Sequence, residues 1–248
     1  PTTVPTAVPT AAPTAAPAAP QPQPKATASP APPRAEWTFL VYLHADHNLE
    51  AFALEDLKEM ASVGSTDKVH VVVQVDRRAD QKVNQGVLNL PDWTTSKRLY
   101  VEKGRFKELA DLGETNSDDP QVLKDFIVWG KRSYPANRYA LVLWDHGAAF
   151  LGFGGDETAS KGSIMRLPAL AGALKDGGIE FDLLGFDACL MANTELALEL
   201  RPYAKALAVS EELEPGDGWD YTAMLDALTR NPTMSGLDLG KIVADSYL

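Results

Sequence analysis

FDLLGFDACLMA (Phe181–Ala192) reads as a buried strand that ends on Asp187-Ala188-Cys189 and then turns into a helix. Cys189 is the only cysteine among 248 residues. Forty-three residues upstream, YALVLWDHG (Tyr139–Gly147) has the same form, an apolar run that ends on His146-Gly147. Runs that are apolar throughout, rather than alternating with polar residues, belong to parallel sheets covered on both faces. In such sheets, sites gather beyond the carboxyl ends of the strands. A thiol and an imidazole at two such ends are what a cysteine nucleophile and its proton partner require.

Working outward, WTFLVYL (Trp37–Leu43), VHVVVQV (Val69–Val75) and Ala206–Ser210 supply three more strands of the same kind. Helical patterns alternate with them. Asn48 is placed as the cap of a helix that buries Leu49, Phe52, Leu57, Met60 and Ala61 and stops at Gly64. The stretch from Asp76 to about Leu112, with Asn84, Gly86, Pro91 and KRLYVEK, reads as a hairpin excursion. Ser117 or Asp118 caps a helix with Pro120 near its start. Pro168–Asp176 is a short helix stopped by Gly177-Gly178, and the helix after Cys189 runs to Arg201 before Pro202. Two more helices finish the chain. Asp46, Asp76, His146, Asp187, Cys189 and Glu211 all fall at one edge of the sheet, which makes that edge the candidate site.

Composition sets bounds. The net charge is −11 and the pI about 4.8, which argues against nucleic acid and anionic membranes as partners and is compatible with cationic substrates. No run approaches the roughly 18 apolar residues of a membrane-spanning segment. With one cysteine there is no internal disulfide. Residues 1–34 are rich in Pro, Thr and Ala, hold 11 of the 18 prolines, and read as an extended linker or stalk. Residues 35–248 form one large α/β domain. The chain starts at Pro1 and ends within a helical pattern at Leu248, so it reads as a processed chain or a fragment whose domain is truncated at the C-terminus.

At the candidate edge, each residue has a bland reading beside the chemical one. Cys189 is either a small core residue or a nucleophile whose thiolate the start of a helix favours. His146 either satisfies a backbone carbonyl or serves as the proton partner, with Gly147 leaving room for a substrate backbone. Together they suit acyl transfer, with the N–H groups of Gly147 and Cys189 as oxyanion donors. Asp187 either caps the next helix or faces a substrate cation.

LVLWDHG followed by LLGFDACLMA resembles the clostripain family of cysteine peptidases (peptidase family C11), a member of the caspase-like clan. VYLHADHNLE (Val41–Glu50) is similar to the family's first strand and Asp-Asn turn, and SEELEPGDGWDY (Ser210–Tyr221) to its Glu/Pro/Gly-Trp loop. The resemblance covers about residues 36–230. Position 47 is His where the family pattern has Asn, and His44 is unusual. The resemblance implies a caspase-like three-layer α/β/α sandwich with a mainly parallel central sheet. It also implies a cysteine endopeptidase with a His146/Cys189 dyad that acts on proteins or peptides with Arg or Lys before the scissile bond. By the same resemblance Asp187 lines the basic-residue pocket, with Glu211 and Trp219 as further candidates in the substrate cleft. Family members are cut in the loop after the histidine strand, which maps to self-cleavage after Lys161 in TASKGS. Some relatives need calcium, and Glu214, Asp217 and Asp220 could hold it, although they lack EF-hand spacing and read more readily as a solvated acidic loop. The dyad requires no other cofactor. A monomer is expected, extracellular or tethered to the cell envelope by the stalk.

Two other classes remain open. A metal-dependent hydrolase could use His44, Asp46 and His47 with Asp145 and His146, although no HExxH-type spacing is present. A caspase-like fold on a stalk could also be a non-catalytic binding module. GFGGDE lacks the Gly-Lys-Ser/Thr of a phosphate loop.

Overall fold

The computed structural model describes residues 34–78, 85–159, 161 and 163–247. The Pro/Thr/Ala-rich segment up to Pro33, Asn84 and the two neighbours of Lys161 lie outside the described residues.

Among the described residues, nine strands and six helices follow one another as β1 (Ala35–Ala45), α1 (Glu50–Val63), β2 (Val69–Arg77), β3 (Ser96–Glu102), β4 (Arg105–Gly113), α2 (Pro120–Ser133), β5 (Ala136–Trp144), β6 (Gly152–Phe153), β7 (Met165–Arg166), α3 (Leu167–Gly177), β8 (Leu183–Asp187), α4 (Thr194–Leu200), β9 (Leu207–Ala208), α5 (Tyr221–Arg230) and α6 (Gly236–Ser246). The main sheet has seven strands in the order β4-β3-β2-β1-β5-β8-β9. β2, β1, β5, β8 and β9 pair in parallel, and the β3–β4 hairpin is antiparallel.

The apolar strand runs have a simple cause. Along β1, Phe39, Val41 and Leu43 pack with α1, α5 and α6 on one face. Leu40 and Tyr42 pack with α2, α3 and α4 on the other. Each strand residue therefore meets a core, and each fully buried Leu or Phe contributes about 1.5–3 kcal/mol. The alternation also sorts β8 where it matters. Phe186 belongs to the α2/α3/α4 face, whereas Asp187 turns to the other face, towards Trp219 and Tyr221.

Several boundaries differ from the sequence expectation. The helix after Cys189 begins five residues later, at Thr194, capped by the Asn193 side chain. Leu190 adopts φ +64°, a left-handed conformation that a helix cannot continue through. α1 is not capped by Asn48, because it starts at Glu50 with no side-chain cap. α2 is capped by Asp119, which accepts from Gln121 N–H. The fifth core strand shrinks to the two residues of β9.

Candidate active site

β5 and β8 are adjacent, with Trp144 paired to Asp187, so the chains leaving them run side by side. His146 and Cys189 open on one small cleft, together with Leu49, Trp144, Asp187, Glu214 and Gly216. Gly147 sits so close to the second chain that a Cβ there would overlap the carbonyl oxygen of Cys189. Only glycine permits this approach, which brings the His146-Gly147 and Cys189 loops into contact. Gly147 is also bridged to Phe153 by Ala148 N–H to Gly152 O and Gly154 N–H to His146 O. Those two bonds leave the Gly147 N–H itself unused.

Cys189 lies in a tight turn rather than at a helix N-terminus, so no helix dipole acts on its sulfur. Its Sγ accepts the Glu214 backbone N–H at 3.3 Å. Local amides thus replace the expected helix end. Leu190 N–H bonds to Glu212 O, and Ala192 N–H to Ser210 O, which lashes the Cys189 loop to the acidic loop.

The imidazole of His146 is fixed from two sides. Its Nε2 bonds to Asn48 Oδ1 at 2.9 Å, across 98 residues of sequence. An amide oxygen only accepts, so Nε2 carries the proton and Nδ1 is left as the basic nitrogen. The His47 ring lies 4.7 Å away, centroid to centroid. Burial, and then His47, push the His146 imidazole below its ordinary value.

Beneath this pair is a layer of buried charge. Asp145 Oδ1 accepts the His146 backbone N–H and contacts His47 Nε2 at 2.8 Å, while Oδ2 pairs with His44 Nδ1 at 2.5 Å. Burial alone would raise the Asp145 carboxyl, but His44 and His47 outweigh it and hold it well below the usual carboxylate range. Burial pulls His44 down, but Asp145, Asp118 and Asp76 carry it up to about 9. The two unusual histidines thus form the foundation under His146.

The cleft floor is acidic. Asp187 is 5 % exposed, and its Oδ2 accepts the Tyr221 hydroxyl at 2.9 Å and the Trp219 N–H at 3.4 Å. Glu214 meets it, accepting from Trp219 Nε1 at 3.4 Å. Burial first, and then the facing Asp187, push the Glu214 carboxyl up. Burial likewise raises Asp187, against the pull of its donors. Asp56, deeper on the same face, accepts Trp144 Nε1 at 2.6 Å, and burial followed by Asp187 raises it to about 9.

Two sequence candidates move. Glu211 is exposed and does not line the cleft; Glu214 does, where its backbone N–H meets the Cys189 sulfur. Trp219 does not wall the cleft but packs beneath it, its ring so close to Gly185 that a Cβ there would meet it at 2.5 Å. Asp187 caps no helix. Lys161 lies in the exposed segment after β6 with φ +56°.

The metal alternative names His44, Asp46 and His47 with Asp145 and His146. Among the described residues, His47, Asp145 and His146 bring ligand atoms within 4.8 Å of one another, as do Asp46, Glu114 and Asp156. His47 is a poor ligand, because its Nδ1 accepts the Leu49 N–H at 3.1 Å and its Nε2 is directed at His44 O at 2.6 Å. Both ring nitrogens are used, and a metal would have to break one of these contacts. The proposed calcium loop is not assembled either. Asp220 caps α5 through Ala223 N–H, and Glu214 faces Asp187. Three carboxylates such as Asp46, Glu114 and Asp156 suit a hard cation better.

The profile of the Clostripain family, Peptidase_C11, matches residues 41–248. The chain belongs to the clostripain family. Clostripain of Hathewaya histolytica is 28% identical over 226 residues, covering 77% of this chain and 42% of that protein. A secreted C11 cysteine protease of Bacteroides thetaiotaomicron, solved with an irreversible peptide inhibitor, superposes with a TM-score of 0.68 at 28% identity, over 86% of this chain and 58% of that one. An inactive zymogen C11 protease of Parabacteroides distasonis shares the fold at a TM-score of 0.63 and 23% identity, over 80% of this chain and 55% of its own. The chain thus spans about half the length of these clostripain-family relatives. The seven-stranded, mostly parallel sheet flanked by helices is the fold of the family.

Proposed function

We propose that this chain is a clostripain-type cysteine endopeptidase in which Cys189 and His146 form the dyad and Arg or Lys is taken before the scissile bond. The observation that carries the reading is one cleft, opened by a thiol and an imidazole at the ends of adjacent parallel strands and floored by two carboxylates, Asp187 and Glu214. His146 Nδ1 takes the Cys189 thiol proton as the sulfur attacks the substrate carbonyl carbon, and the resulting oxyanion lies against the Gly147 and Cys189 N–H groups. His146 gives its Nδ1 proton to the leaving nitrogen as the C–N bond breaks. Water, deprotonated by the same nitrogen, then attacks the thioester, releases the acid and restores the thiol. Asn48 keeps the other imidazole nitrogen occupied, so that proton transfer runs through the substrate-facing one. A guanidinium or ammonium entering the cleft would meet both acids.

Self-cleavage after Lys161 belongs to this reading. The residue is exposed and cationic, in the loop that follows the histidine strand. Export fits it too, since the Bacteroides thetaiotaomicron relative is described as secreted.

The test is hydrolysis of fluorogenic peptide amides ending in Arg, Lys, Ala or Asp, by wild type and by Cys189→Ala. Cleavage confined to Arg and Lys and abolished by the substitution is the expected result. Cleavage that survives it would remove the thiol from the mechanism. A Lys161→Ala chain that still yields the same two fragments would remove self-processing at that site.

A further inference from the structure

The 3₁₀ turn Ala149–Leu151 has no part in the mechanism above, yet it displays two large apolar side chains, four and five residues after His146. Phe150 is 57% and Leu151 47% exposed. Flexible loops often show such residues, but this turn is held rigidly. Ala149 takes φ +53° and Gly152 φ +145°, and a Cβ on Gly152 would overlap the carbonyl oxygen of Met165. Leu151 N–H closes the turn on Ala148 O, and the next residues pair with β7. Phe153 anchors the base, its ring set edge-on against Phe186 at 6.0 Å. The turn packs on α4. Uncommon backbone angles held by surrounding structure concentrate where a protein engages a ligand.

Position says which ligand. Across the sheet the order is β5, β8, β9. The acids that take the residue before the scissile bond face the β9 side, where Glu214 belongs to the loop after that strand. The proton donor, His146, stands on the β5 side, and the leaving nitrogen must face it. The leaving half of a bound peptide therefore passes over the loop that continues from His146, which is the loop that carries Phe150 and Leu151.

We propose that the Ala149–Leu151 turn is a subsite for an apolar side chain on the leaving-group side of the scissile bond, with Phe150 and Leu151 as its contact surface. The substrates it favours combine Arg or Lys before the cut with a Leu-, Ile- or Phe-sized residue within the two positions after it. The proposal rests on the function proposed above and is specific to the leaving half.

Internally quenched peptides with a constant Arg-containing half, followed by Leu, Phe, Gly, Ser or Asp at the first or second position after the cut, test it on the full chain. An Arg aminomethylcoumarin amide, which has no leaving-half residues, is assayed alongside. The expected kcat/KM ratio of Leu or Phe over Gly or Asp is about five- to tenfold. In Phe150→Ser/Leu151→Ser, with every rate normalised to the coumarin amide, the ratio should fall to about one. Hydrolysis of the coumarin amide without any apolar preference would overturn the subsite and leave the peptidase reading standing. A preference that persists in the double variant would place the subsite elsewhere and equally overturn it. Failure to cleave any substrate would overturn both.

Discussion

Asn48→Ala is the substitution that most directly probes how the imidazole is aimed. In the resting protein the bond from His146 Nε2 to Asn48 Oδ1, 2.9 Å long, joins two neutral groups and contributes about 1 kcal/mol. As the thiol attacks, His146 becomes an imidazolium, and the same bond becomes charge-assisted at about 1.5–3 kcal/mol. The difference, about 0.5–2 kcal/mol, is stabilisation present in the transition state and missing in the ground state. At about 1.36 kcal/mol per tenfold it corresponds to a 2- to 30-fold fall in kcat. Freed imidazole rotation adds to the loss. KM should change little, because Asn48 lies behind the histidine, away from the acidic floor. Asn48→Asp keeps an acceptor and should recover most of the rate, which a merely structural defect would not allow. The assay is steady-state hydrolysis of an Arg-ending peptide amide by the three proteins, with far-ultraviolet circular dichroism to confirm folding. An unchanged kcat in Asn48→Ala, or a loss expressed wholly in KM, would refute the positioning argument.

Other substitutions probe the floor, the loop contact and the buried acids. Asp187→Asn keeps the shape of the side chain but removes its charge; kcat/KM for Arg substrates should fall about 10- to 100-fold. Peptides with an uncharged isostere before the cut should be far less affected, and equal losses on both would show that the residue has no role in recognising the cation. Gly147→Ala forces a methyl group into the Cys189 carbonyl and should lower hydrolysis by roughly 100-fold through the displaced oxyanion donors; an unimpaired rate would mean the two loops need not touch. Asp56 holds its proton in the folded chain up to about 9, whereas an unfolded aspartate loses it near 3.9. Folding therefore takes up a proton across that window, and stability falls as pH rises through it. Asp56→Asn, which still accepts from Trp144 Nε1, should flatten that decline and raise the unfolding free energy from urea titrations at pH 8 more than at pH 5, by a margin on the order of 4 kcal/mol. Parallel profiles for the two proteins would exclude Asp56 as its source.

What could be read from the chain follows the range of the interactions. The strands were legible because each residue in them faces one of two cores, which leaves an uninterrupted apolar run. The placement of His146 and Cys189 follows from that alone, since both stand just beyond such runs. Asn48 was not legible as a partner of His146. A short polar residue before an amphipathic run looks like a cap, and its true contact is 98 residues away. Its neighbour His47 gave the hint, as a departure from the family's turn. The stretch Leu190–Asn193 looked helical by composition, and only the bonds to Ser210 and Glu212 reveal why it stays out of the helix. Glu211 and Glu214 are chemically alike, and only the contact of the Glu214 N–H with the Cys189 sulfur, 25 residues away, shows which one reaches the cleft. The buried pairing of His44 with Asp145 crosses from β1 to the end of β5 and has no local signature.

The indole of Trp219 lies under the cleft with Gly185 on one side and Glu214 Oε1 on its nitrogen. It therefore works as an optical gauge of the acidic floor. A cation that settles between Asp187 and Glu214 favours ionised carboxylates there, and negative charge beside the indole nitrogen shifts and quenches its emission. Benzamidine or an arginine peptide titrated into Cys189→Ala would then register as a fluorescence change without a single bond being cut, separating recognition from chemistry within one polypeptide.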